Sequence, residues 1–474
     1  MKKLTDILKN TPVREVCGDT AAAIGGLVYD SRAVKPGDCF FAVPGTQSDG
    51  HDYIPIAVEK GAAAIVCERM PADAAEGVAY VLVGDSAGAM ADMAAAFYDY
   101  PSRELKLVGI TGTNGKTTTA TLLYDLVRAM GYKAGLISTV VYKIDGREVE
   151  ATHTTPDSIR LNAMMREMAD AGCAYCFMEC SSHAIVQERT RGLDFAGGIF
   201  SNITHDHLDY HKTFAEYIRA KKLFFDGLPK GAFALTNADD RNGRVMVQNT
   251  AAAVSAYSLR AMADFRCKIV EMHLDGMLLR IDGQELWVGL LGRFNAYNLL
   301  AVYGAAALLG LDRGEVLRVL SMLHAVSGRF EKIRAANGTT AIVDYAHTPD
   351  ALENVIQTIE EIRTPGQQLI VVCGCGGDRD RTKRPEMAAI AVKYATTAVF
   401  TSDNPRHESP EAILDDMVAG LEPGARYLRI ADRAEAIRTA VMLSRPGDII
   451  LVAGKGHETY QIVGDVKQIG RAHV

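Results

Sequence analysis

A short glycine-rich stretch is the first place in this chain where residue types and spacing suit phosphate binding. It reads Thr111-Gly-Thr-Asn-Gly-Lys-Thr117 and follows a largely apolar run at residues 105–110, which predicts a buried strand. The next residues, 117–130, have the composition of a helix. A strand, a glycine loop and a helix in this order direct backbone N–H groups and the positive end of a helix dipole at an anion. The stretch therefore predicts a phosphate-binding loop.

Lys116 and Thr117 indicate which phosphate compound this loop would bind. In nucleotide-binding loops the lysine reaches the β- and γ-phosphates, and the hydroxyl beside it holds Mg²⁺. The usual pattern has a further glycine where this chain has Ile110, so the loop is a tighter variant. The alternative is a glycine-rich turn before an ordinary helix. A Lys-Thr pair at a strand–helix junction favours a nucleoside triphosphate.

Two further stretches carry groups that bind metal ions or phosphate. Glu179 ends a predicted buried strand, where a carboxylate is costly unless it is paired or binds a metal ion. Residues 202–211 contain three histidines, including His207, and two aspartates. The alternatives are a glutamate exposed to water and an exposed polar loop. The spacing alone does not decide which histidine matters.

Polar loops also follow several predicted strands in the last third of the chain. They are Asp344-Tyr-Ala-His-Thr-Pro-Asp350, Ser402-Asp-Asn-Pro-Arg406 and Ala453-Gly-Lys-Gly-His-Glu458. Because the carboxyl ends of parallel strands meet at one edge of a sheet, these loops predict a shared binding face. Arg379 and Arg406 on this face are suited to pairing with carboxylates, and a solvated arginine is the alternative.

The elements that position these groups alternate between strands and helices. This alternation predicts an α/β fold with mostly parallel sheets, and the turns Asp275-Gly276 and Asp282-Gly283 predict an appended hairpin. The 474 residues are enough for about three domains of typical size. We expect a small N-terminal α/β domain over residues 1–100, a central domain with a parallel sheet of the P-loop ATPase type over 101–326, and a C-terminal Rossmann-like domain over 327–474.

Composition and charge exclude several classes of protein. The net charge of −7 argues against nucleic acid or an anionic membrane as the main partner. The nine cysteines share no metal-type spacing and indicate reduced thiols of a cytoplasmic protein. No apolar run approaches the roughly 18 residues of a membrane span, and the N-terminus lacks the apolar core of a signal peptide. We therefore expect a cytoplasmic protein, which we take to be a monomer.

Together these motifs resemble the Mur ligase family of ATP-dependent enzymes that form amide bonds. The matching stretches occur in the family's order and span nearly the whole chain: residues 111–117, 178–183, 206–211 and 344–349. Asp403-Asn-Pro-Arg406 resembles the corresponding stretch of the members that add meso-diaminopimelate. In those members the arginine of this stretch binds the distal carboxylate of the amino acid. Lysine-adding members lack this arginine, because lysine has no second carboxylate to pair with it.

The resemblance implies a reaction and a set of residues that carry it out. The reaction adds meso-diaminopimelate to UDP-N-acetylmuramoyl-L-alanyl-D-glutamate through an acyl phosphate, with ATP and Mg²⁺, in peptidoglycan precursor biosynthesis. The implied ATP-binding residues are Gly112, Thr113, Asn114, Gly115, Lys116, Thr117, Thr118, Asn295, Arg329, Asp344 and His347. Those implied for the UDP-sugar peptide are Ser31, His153, Thr154, Thr155, Ser181, Gln187 and Arg189. Those implied for diaminopimelate are Arg379, Asp403, Asn404, Pro405, Arg406, Gly454 and Glu458.

The resemblance also implies a catalytic group and its metal ion. The implied catalytic residues are Lys116, Glu179, His207 and Lys221, and the implied Mg²⁺ ligands are Thr117, Glu179, His207 and Lys221. Lys221 aligns with a lysine that the family carbamoylates, a modification that converts a cation into a carboxylate-like ligand. Without the resemblance, the adjacent pair Lys221-Lys222 predicts only a solvated helix face.

Three other functions compete with this one. A lysine-adding Mur ligase is disfavoured by Arg406, and a folylpolyglutamate synthetase-type ligase by the 403–406 loop and the N-terminal unit. A nucleotide-dependent switch would hydrolyse ATP without the UDP-sugar peptide.

The C-terminus departs from the family, which continues past Gln461-Ile-Val-Gly464 into an acidic-basic segment and a closing helix. Here the chain ends at Val474. We hypothesise that residues 469–474 are not native.

Overall fold

Three consecutive α/β units make up this protein. The structure is a computed structural model that describes residues 1–45, 48–204 and 208–470. Within these ranges the units are built on main sheets of five, eleven and six strands. None of the helices in the same ranges is long and apolar enough to cross a membrane.

The N-terminal unit packs helices against a mostly parallel sheet of order β2-β7-β6-β5-β4, in which β2 is antiparallel to its neighbour. Its elements are β1 Lys2–Lys3, α1 Leu4–Ile7, β2 Val13–Cys17, β3 Ala23–Ile24, β4 Leu27–Val28, β5 Cys39–Phe41, α2 Ile54–Glu59, β6 Ala64–Cys67, β7 Ala79–Val83 and α3 Ser86–Phe97. Phe41, Val66 and Val81 of the sheet form its core with Met93 and Ala94 of α3. This core leaves the loop after β4, which carries Ser31, at the edge of the unit.

The central unit begins with the strand and helix that flank the glycine loop. Its first elements are β8 Lys106–Thr111, α4 Lys116–Ala129, β9 Ala134–Ile137, β10 Val141–Ile144, β11 Arg147–Glu150, α5 Ser158–Asp170, β12 Tyr175–Glu179, α6 Ser182–Val186, β13 Gly197–Phe200, α7 Leu208–His211 and α8 Phe214–Asp226. The rest are β14 Phe233–Asn237, α9 Gly243–Val247, β15 Ala253–Ser258, β16 Phe265–His273, β17 Gly276–Ile281, β18 Gln284–Val288, α10 Arg293–Leu308 and α11 Arg313–Leu320.

The position of β8 in the central sheet determines what can surround the glycine loop. β8 lies between β12 and β13, parallel to both, so the carboxyl ends of all three strands open at one edge. Glu179 of β12 pairs in register with Ile110 of β8, and Phe200 of β13 pairs with Thr111. The loops after β12 and β13 therefore flank the glycine loop.

The predicted hairpin is confirmed as β16, β17 and β18, which pair antiparallel at the far edge of the central sheet. Asp282 and Gly283 both have positive φ, of 45° and 89°, as a tight two-residue hairpin turn requires.

The C-terminal unit is doubly wound, with helices on both faces of its sheet. Its elements are β19 Glu331–Arg334, β20 Thr340–Asp344, α12 Pro349–Ile362, β21 Leu369–Cys373, α13 Lys383–Tyr394, β22 Thr397–Phe400, α14 Pro410–Val418, β23 Tyr427–Arg429, α15 Arg433–Leu443, β24 Ile449–Ala453, β25 Tyr460–Val463 and β26 Val466–Ile469. All five residues of β21 are buried, and successive ones join different core clusters, as expected for a strand covered on both faces. The parallel order β20-β24-β21-β22 brings the loops after these strands to one edge.

Candidate functional site

The glycine loop adopts a conformation that needs its glycines. Gly112 and Gly115 have φ of +149° and +86°, a region that residues with a Cβ rarely occupy. A Cβ at Gly112 would lie 2.0 Å from Ser201 Oγ, and one at Gly115 would lie 2.4 Å from Asn298 Oδ1. The loop is therefore wrapped tightly by its neighbours and leads into α4, whose first turn carries Thr117 and Thr118.

Lys116 lies over the loop that it would use to bind phosphate. Its Nζ donates to the carbonyl oxygens of Gly112 at 2.9 Å and Thr113 at 2.8 Å. The ammonium group is thus held at the rim of the loop, at the amino-terminal end of α4. Both features place positive charge where a phosphate chain would sit.

The loop after β13 fixes the glycine loop in place, a role that the histidines and aspartates of residues 202–211 do not predict. Asn202 accepts from Asn114 N at 2.9 Å and donates to Asn114 O at 3.0 Å through its side chain. Ser201 Oγ donates to the same carbonyl at 2.6 Å, and Thr204 N donates to Thr113 Oγ1 at 3.0 Å. The polar Ser201-Asn202 pair was visible in the sequence, but its partner lies almost ninety positions away.

Asn295 and Asn298 form a second support, behind the glycine loop. Asn295 Nδ2 donates to Leu291 O at 2.8 Å, and its Oδ1 accepts from Asn298 Nδ2 at 3.1 Å. The Oδ1 of Asn298 faces Thr119 Oγ1 at 3.5 Å and the open side of Gly115. Asn295, which was predicted to bind ATP, therefore contacts Asn298, and Asn298 in turn contacts the glycine loop.

Glu179 is a buried carboxylate beside the glycine loop. Its side chain is 1% exposed and accepts from Thr139 N at 2.7 Å. A carboxylate and a hydroxyl are the hard oxygen donors that Mg²⁺ prefers, so Glu179 and Thr117 fit the implied ion. Within the described ranges, no three His, Cys, Asp or Glu side chains cluster as a metal site. The third predicted ligand, His207, lies outside the described residues.

Lys221 is buried on α8 and reaches the glycine loop at the carbonyl oxygen that also accepts from Lys116. The residue is 1% exposed, and its Nζ donates to Gly112 O at 2.8 Å and lies 4.6 Å from the ring centre of Tyr217. The solvated face that the Lys-Lys pair alone predicts is therefore wrong for Lys221, because α8 turns this residue inward. Lys222 instead pairs with Asp226 one turn along the helix, at 2.5 Å.

The residues predicted for the UDP-sugar peptide gather around Thr155. Thr155 Oγ1 donates to Glu179 O at 2.7 Å and accepts from Ser181 N at 3.1 Å. Arg189 donates to Thr155 O at 2.7 Å and to Gln187 Oε1 at 2.6 Å. This network joins the ends of β12 and α6 to the loop before α5.

The flanks of this cluster carry the remaining predicted residues. Thr139 Oγ1 donates to Thr154 Oγ1 at 3.0 Å, and the backbone of His153 is held by Tyr142 OH at 2.6 and 3.1 Å. Ser31, in the N-terminal unit, is buried two residues after Tyr29, whose pKa is raised by burial and by the charge of Asp157 and lowered by Arg189. The loop of Ser31 thus lies within electrostatic reach of the cluster.

Arg329 connects the start of the C-terminal unit to the glycine loop. Its Nη2 donates to Thr117 Oγ1 at 3.2 Å, and its guanidinium lies 4.4 Å from the ring centre of Tyr345. The next residue, Phe330, has φ of +52°, and its N–H donates to Asp344 Oδ2 at 2.7 Å.

Both carboxylate oxygens of Asp344 accept hydrogen bonds from the backbone, so this side chain stabilises the start of the C-terminal unit. Its other oxygen, Oδ1, accepts from Ala346 N at 2.7 Å, and burial raises the pKa of the carboxyl group. His347 Nδ1 lies 2.9 Å from Tyr345 O, and since a carbonyl only accepts, Nδ1 carries the hydrogen.

Arg406 and Arg379 both approach Gly376. A Cβ at Gly376 would lie 2.9 Å from Arg406 Nη1 and 3.7 Å from Arg379 Cγ. Arg406 has φ of +51° and donates through Nη1 to Gly377 O at 2.8 Å. Burial, and then the charge of Arg379, lowers the pKa of Arg406. Two cations that repel one another across a glycine form a site that an anion would stabilise.

The remaining residues that were predicted to bind diaminopimelate surround Asn404. Asn404 Nδ2 donates to Glu458 Oε2 at 3.0 Å, and Asp403 is buried with no hydrogen-bond partner recorded for its Oδ2 among the described atoms. Gly454 has φ of +104°, and a Cβ there would meet that oxygen at 2.8 Å. Pro405 O lies where a Cβ of Gly377 would be, at 1.9 Å. These glycines allow the three loops to pack closely.

A cavity of about 990 Å³ brings together most of the residues predicted for diaminopimelate with Thr154 of the peptide set and His347 of the ATP set. Its wall in the central unit includes Thr154, His183 and Thr204. Its wall in the C-terminal unit includes Tyr345, His347, Arg379, Asp403, Asn404, Arg406, Gly454 and Glu458. Asp350, which also lines it, accepts from Asn114 Nδ2 at 3.0 Å and Thr204 Oγ1 at 3.3 Å. The cavity thus borders the glycine loop and opens between two units.

Comparison with known proteins agrees with this architecture. Three family models match in succession: "Mur ligase family, catalytic domain" over residues 23–98, "Mur ligase middle domain" over 110–306 and "Mur ligase, glutamate ligase domain" over 328–456. The UDP-N-acetylmuramoyl-L-alanyl-D-glutamate–2,6-diaminopimelate ligase of Phocaeicola vulgatus is 55% identical over 98% of this chain and 96% of its own. The chain belongs to the Mur ligase family. The ligase of the same name from Geobacillus thermodenitrificans is 44% identical over 98% of this chain and 96% of its own.

Solved structures show the same Mur ligase fold. A structure of UDP-N-acetylmuramoyl-L-alanyl-D-glutamate–2,6-diaminopimelate ligase superimposes with a TM-score of 0.70 at 31% identity, over 99% of this chain and 96% of that one. Folylpolyglutamate synthase from Mycobacterium tuberculosis shares the fold at 18% identity, with a TM-score of 0.63 over 76% of this chain and 91% of that one. The three-domain α/β architecture predicted from the sequence is therefore confirmed.

Proposed function

We propose that this Mur ligase adds meso-diaminopimelate to UDP-N-acetylmuramoyl-L-alanyl-D-glutamate in peptidoglycan precursor biosynthesis, with conversion of ATP to ADP and phosphate. The observation that carries the proposal is the shared cavity, in which Thr154 of the peptide cluster lies across from Arg406 and Glu458. The names of relatives that are 54–55% identical over 98% of this chain support it.

The first chemical step would activate the acid. The γ-carboxylate of D-glutamate is a poor electrophile, so its oxygen attacks the γ-phosphorus of ATP and ADP leaves, which gives an acyl phosphate. Attacker and γ-phosphate are both anionic. Lys116 and the N–H groups at the start of α4 lower the resulting repulsion.

Thr117 and Glu179, together with His207 and a carbamoylated Lys221, would hold Mg²⁺. When bound, this ion neutralises negative charge on the phosphates. The burial of Glu179 beside the glycine loop supports its place in this set.

The second step would form the amide. A neutral amine of diaminopimelate attacks the acyl carbon, phosphate leaves, and the nitrogen gives up a proton. Closure of the C-terminal unit over the cavity would bring the reactants together and exclude water, which would protect the acyl phosphate from hydrolysis. Arg406 would bind the distal carboxylate that lysine lacks.

Carbamoylation of Lys221 is part of this proposal. A carbamate nitrogen keeps one hydrogen, so the contact of Nζ with Gly112 O can persist after modification. We expect Lys221→Ala to lose activity and to regain part of it in bicarbonate or acetate, measured as amide product. Lys222→Ala, whose side chain pairs with Asp226 instead of reaching the glycine loop, is the matched control and should retain activity. Failure of every short carboxylate to restore Lys221→Ala would remove the carbamate role.

The proposed function is tested by phosphate release with the UDP-sugar dipeptide and diaminopimelate, lysine or ornithine in turn. We expect rapid release and a product of the summed mass only with diaminopimelate. Preference for lysine would support the lysine-adding alternative, and ATP turnover without the UDP-sugar dipeptide would support a nucleotide switch.

We also propose that the protein is a monomer and acts in the cytoplasm. All nine cysteines are free thiols, which suits a reducing compartment. Size-exclusion chromatography with light scattering would test the monomer.

A further inference from the structure

We propose that Lys455 is a positioning residue for the amino-acid substrate: a buried ammonium that holds Asn404 and Glu458 in place so that the Glu458 carboxylate receives the distal amino group. Because the inference rests on the proposed function, its test separates the failure of one from the failure of the other. Lys455 is not among the residues predicted from the sequence; it lies between Gly454 and Gly456 in the loop after β24.

The contacts of Lys455 are short and fully enclosed. The side chain is 0% exposed, and its Nζ donates to Glu458 Oε2 at 2.6 Å and to Asn404 Oδ1 at 2.8 Å. The ring centre of Tyr460 lies 5.4 Å from the same nitrogen. A buried lysine is costly unless it is paired, so these partners hold the loop in one arrangement.

Lys455 and the backbone of Ile462 together determine which way the amide of Asn404 faces. Asn404 Oδ1 accepts from Lys455 Nζ and from Ile462 N, the latter at 2.9 Å. A flipped amide would place an NH₂ group against two donors, so the observed orientation is strongly preferred. Asn404 Nδ2 therefore faces Glu458 Oε2, at 3.0 Å.

The same ammonium orients the carboxylate of Glu458. Oε2 is engaged by Lys455 and Asn404, whereas Oε1 lies 3.4 Å from Tyr345 OH, longer than a normal hydroxyl hydrogen bond. Glu458 is 13% exposed through its side chain and lines the cavity. Oε1 is thus the oxygen best placed to accept from an ammonium group of the substrate.

A diaminopimelate molecule with its distal carboxylate on Arg406 carries its distal amino group on the adjacent carbon. Arg406 and Glu458 line the same cavity, and Asn404 contacts both. Its backbone carbonyl oxygen lies 3.4 Å from Arg406 Nη1, and its side-chain Nδ2 donates to Glu458 Oε2. The distal end of diaminopimelate would therefore be bound by two groups of opposite charge: Arg406 would bind its carboxylate and Glu458 its amino group. Lys455 positions Glu458.

The test is the KM of each substrate for Lys455→Met. Losing a charge-assisted contact to the distal ammonium should raise the KM for diaminopimelate about 10- to 100-fold. The KM values for ATP and the UDP-sugar dipeptide should stay within about twofold, because neither ligand is predicted to reach Lys455. Lys467→Met is the matched control: Lys467 lies 4.0 Å from the same Tyr460 ring but is half exposed, and its loss should leave all three KM values unchanged.

A second acceptor, 2-aminopimelate, distinguishes positioning from a purely structural role. It keeps the distal carboxylate and lacks the distal amino group, so it should bind wild type weakly. With it, Lys455→Met should cost less than about threefold, because the contact that Lys455 organises is already missing. Equal penalties for both acceptors, or equal rises in the KM of all substrates, would overturn the inference.

A double variant covers the case in which Lys455→Met does not fold. Lys455→Met/Glu458→Gln removes both buried charges together and leaves no unpaired carboxylate. We expect it to lose the preference for diaminopimelate over 2-aminopimelate; retention of the wild-type preference would refute the positioning role. If wild type itself makes no product with diaminopimelate, the proposed function fails instead.

Discussion

Replacement of Arg406 by alanine should raise the KM for diaminopimelate far more than that for ATP. Its guanidinium is half-buried, and Nη1 is already committed to Gly377 O at 2.8 Å. Nε and Nη2 form the edge that remains to grip a carboxylate. Truncating one partner of a buried, hydrogen-bonded charge pair costs about 2–5 kcal/mol. At about 1.4 kcal/mol per tenfold change, that corresponds to about 30-fold to several-thousand-fold in KM.

Arg406→Lys should be almost as damaging, although it keeps the charge. A lysine ammonium is a point charge and cannot serve Gly377 O and both carboxylate oxygens at once. Arg379→Ala is the comparison variant within the same predicted site, because Arg379 is exposed and its screened charge is worth about 0–1 kcal/mol. We expect its KM to rise by no more than about fivefold.

The assay is steady-state phosphate release with diaminopimelate, ATP and the UDP-sugar dipeptide varied separately. Thermal unfolding of each variant would confirm that the fold persists. Equal rises in the KM of ATP and diaminopimelate for Arg406→Ala would refute the reasoning, as would a larger effect at Arg379 than at Arg406.

Three further outcomes follow from the same structure. Lys116→Ala should abolish acyl phosphate formation, seen as loss of ADP release, while binding of the UDP-sugar dipeptide by calorimetry persists. Arg384→Met should lower the free energy of unfolding by about 3 kcal/mol, because a fully buried guanidinium joins Glu408 and Asp416; Arg381→Met, an exposed arm on the same Asp416, should cost less than about 1 kcal/mol in urea melts. Hydrogen bonds that the His407 ring donates to the carboxylates of Asp378 and Asp465 raise the pKa of this exposed histidine. Its stabilising contact with the C-terminal hairpin is therefore complete below the unfolded pKa and is lost as pH rises through the folded pKa; an NMR titration with the His407 pKa at or below its ordinary value would contradict this.

The chemistry of the glycine loop could be predicted from the sequence, whereas the residues that hold it could not. Lys116 and Thr117 follow a strand at a recognisable spacing, so local pattern is enough. Asn202, Asn298 and Asp350 reach the loop from three other elements, and nothing in their immediate sequence separates them from solvated polar residues. Such contacts depend on how the sheets order their strands, which periodicity does not encode.

Local pattern also failed where a side chain competes with the backbone. Residues 26–32, which precede a Lys35-Pro-Gly37 turn, are predicted to form a strand, yet β4 ends at Val28. Asp30 accepts from Arg32 N at 2.9 Å through its side chain and turns the chain before Ser31. Aspartate closes such turns readily, and here it brings Ser31 out of the sheet.

The cavity between the central and C-terminal walls allows the separation of the two units to be measured with a ligand that contacts both walls. A synthetic compound with a phosphinate in place of the acyl phosphate and a diaminopimelate-like arm would touch Thr154 at one end and Arg406 at the other. The affinity of such a compound would be highest when its length matches the separation of the two walls, and it would fall steeply for shorter or longer compounds. A series of such compounds with arms of graded length would therefore measure the distance at which the two units work.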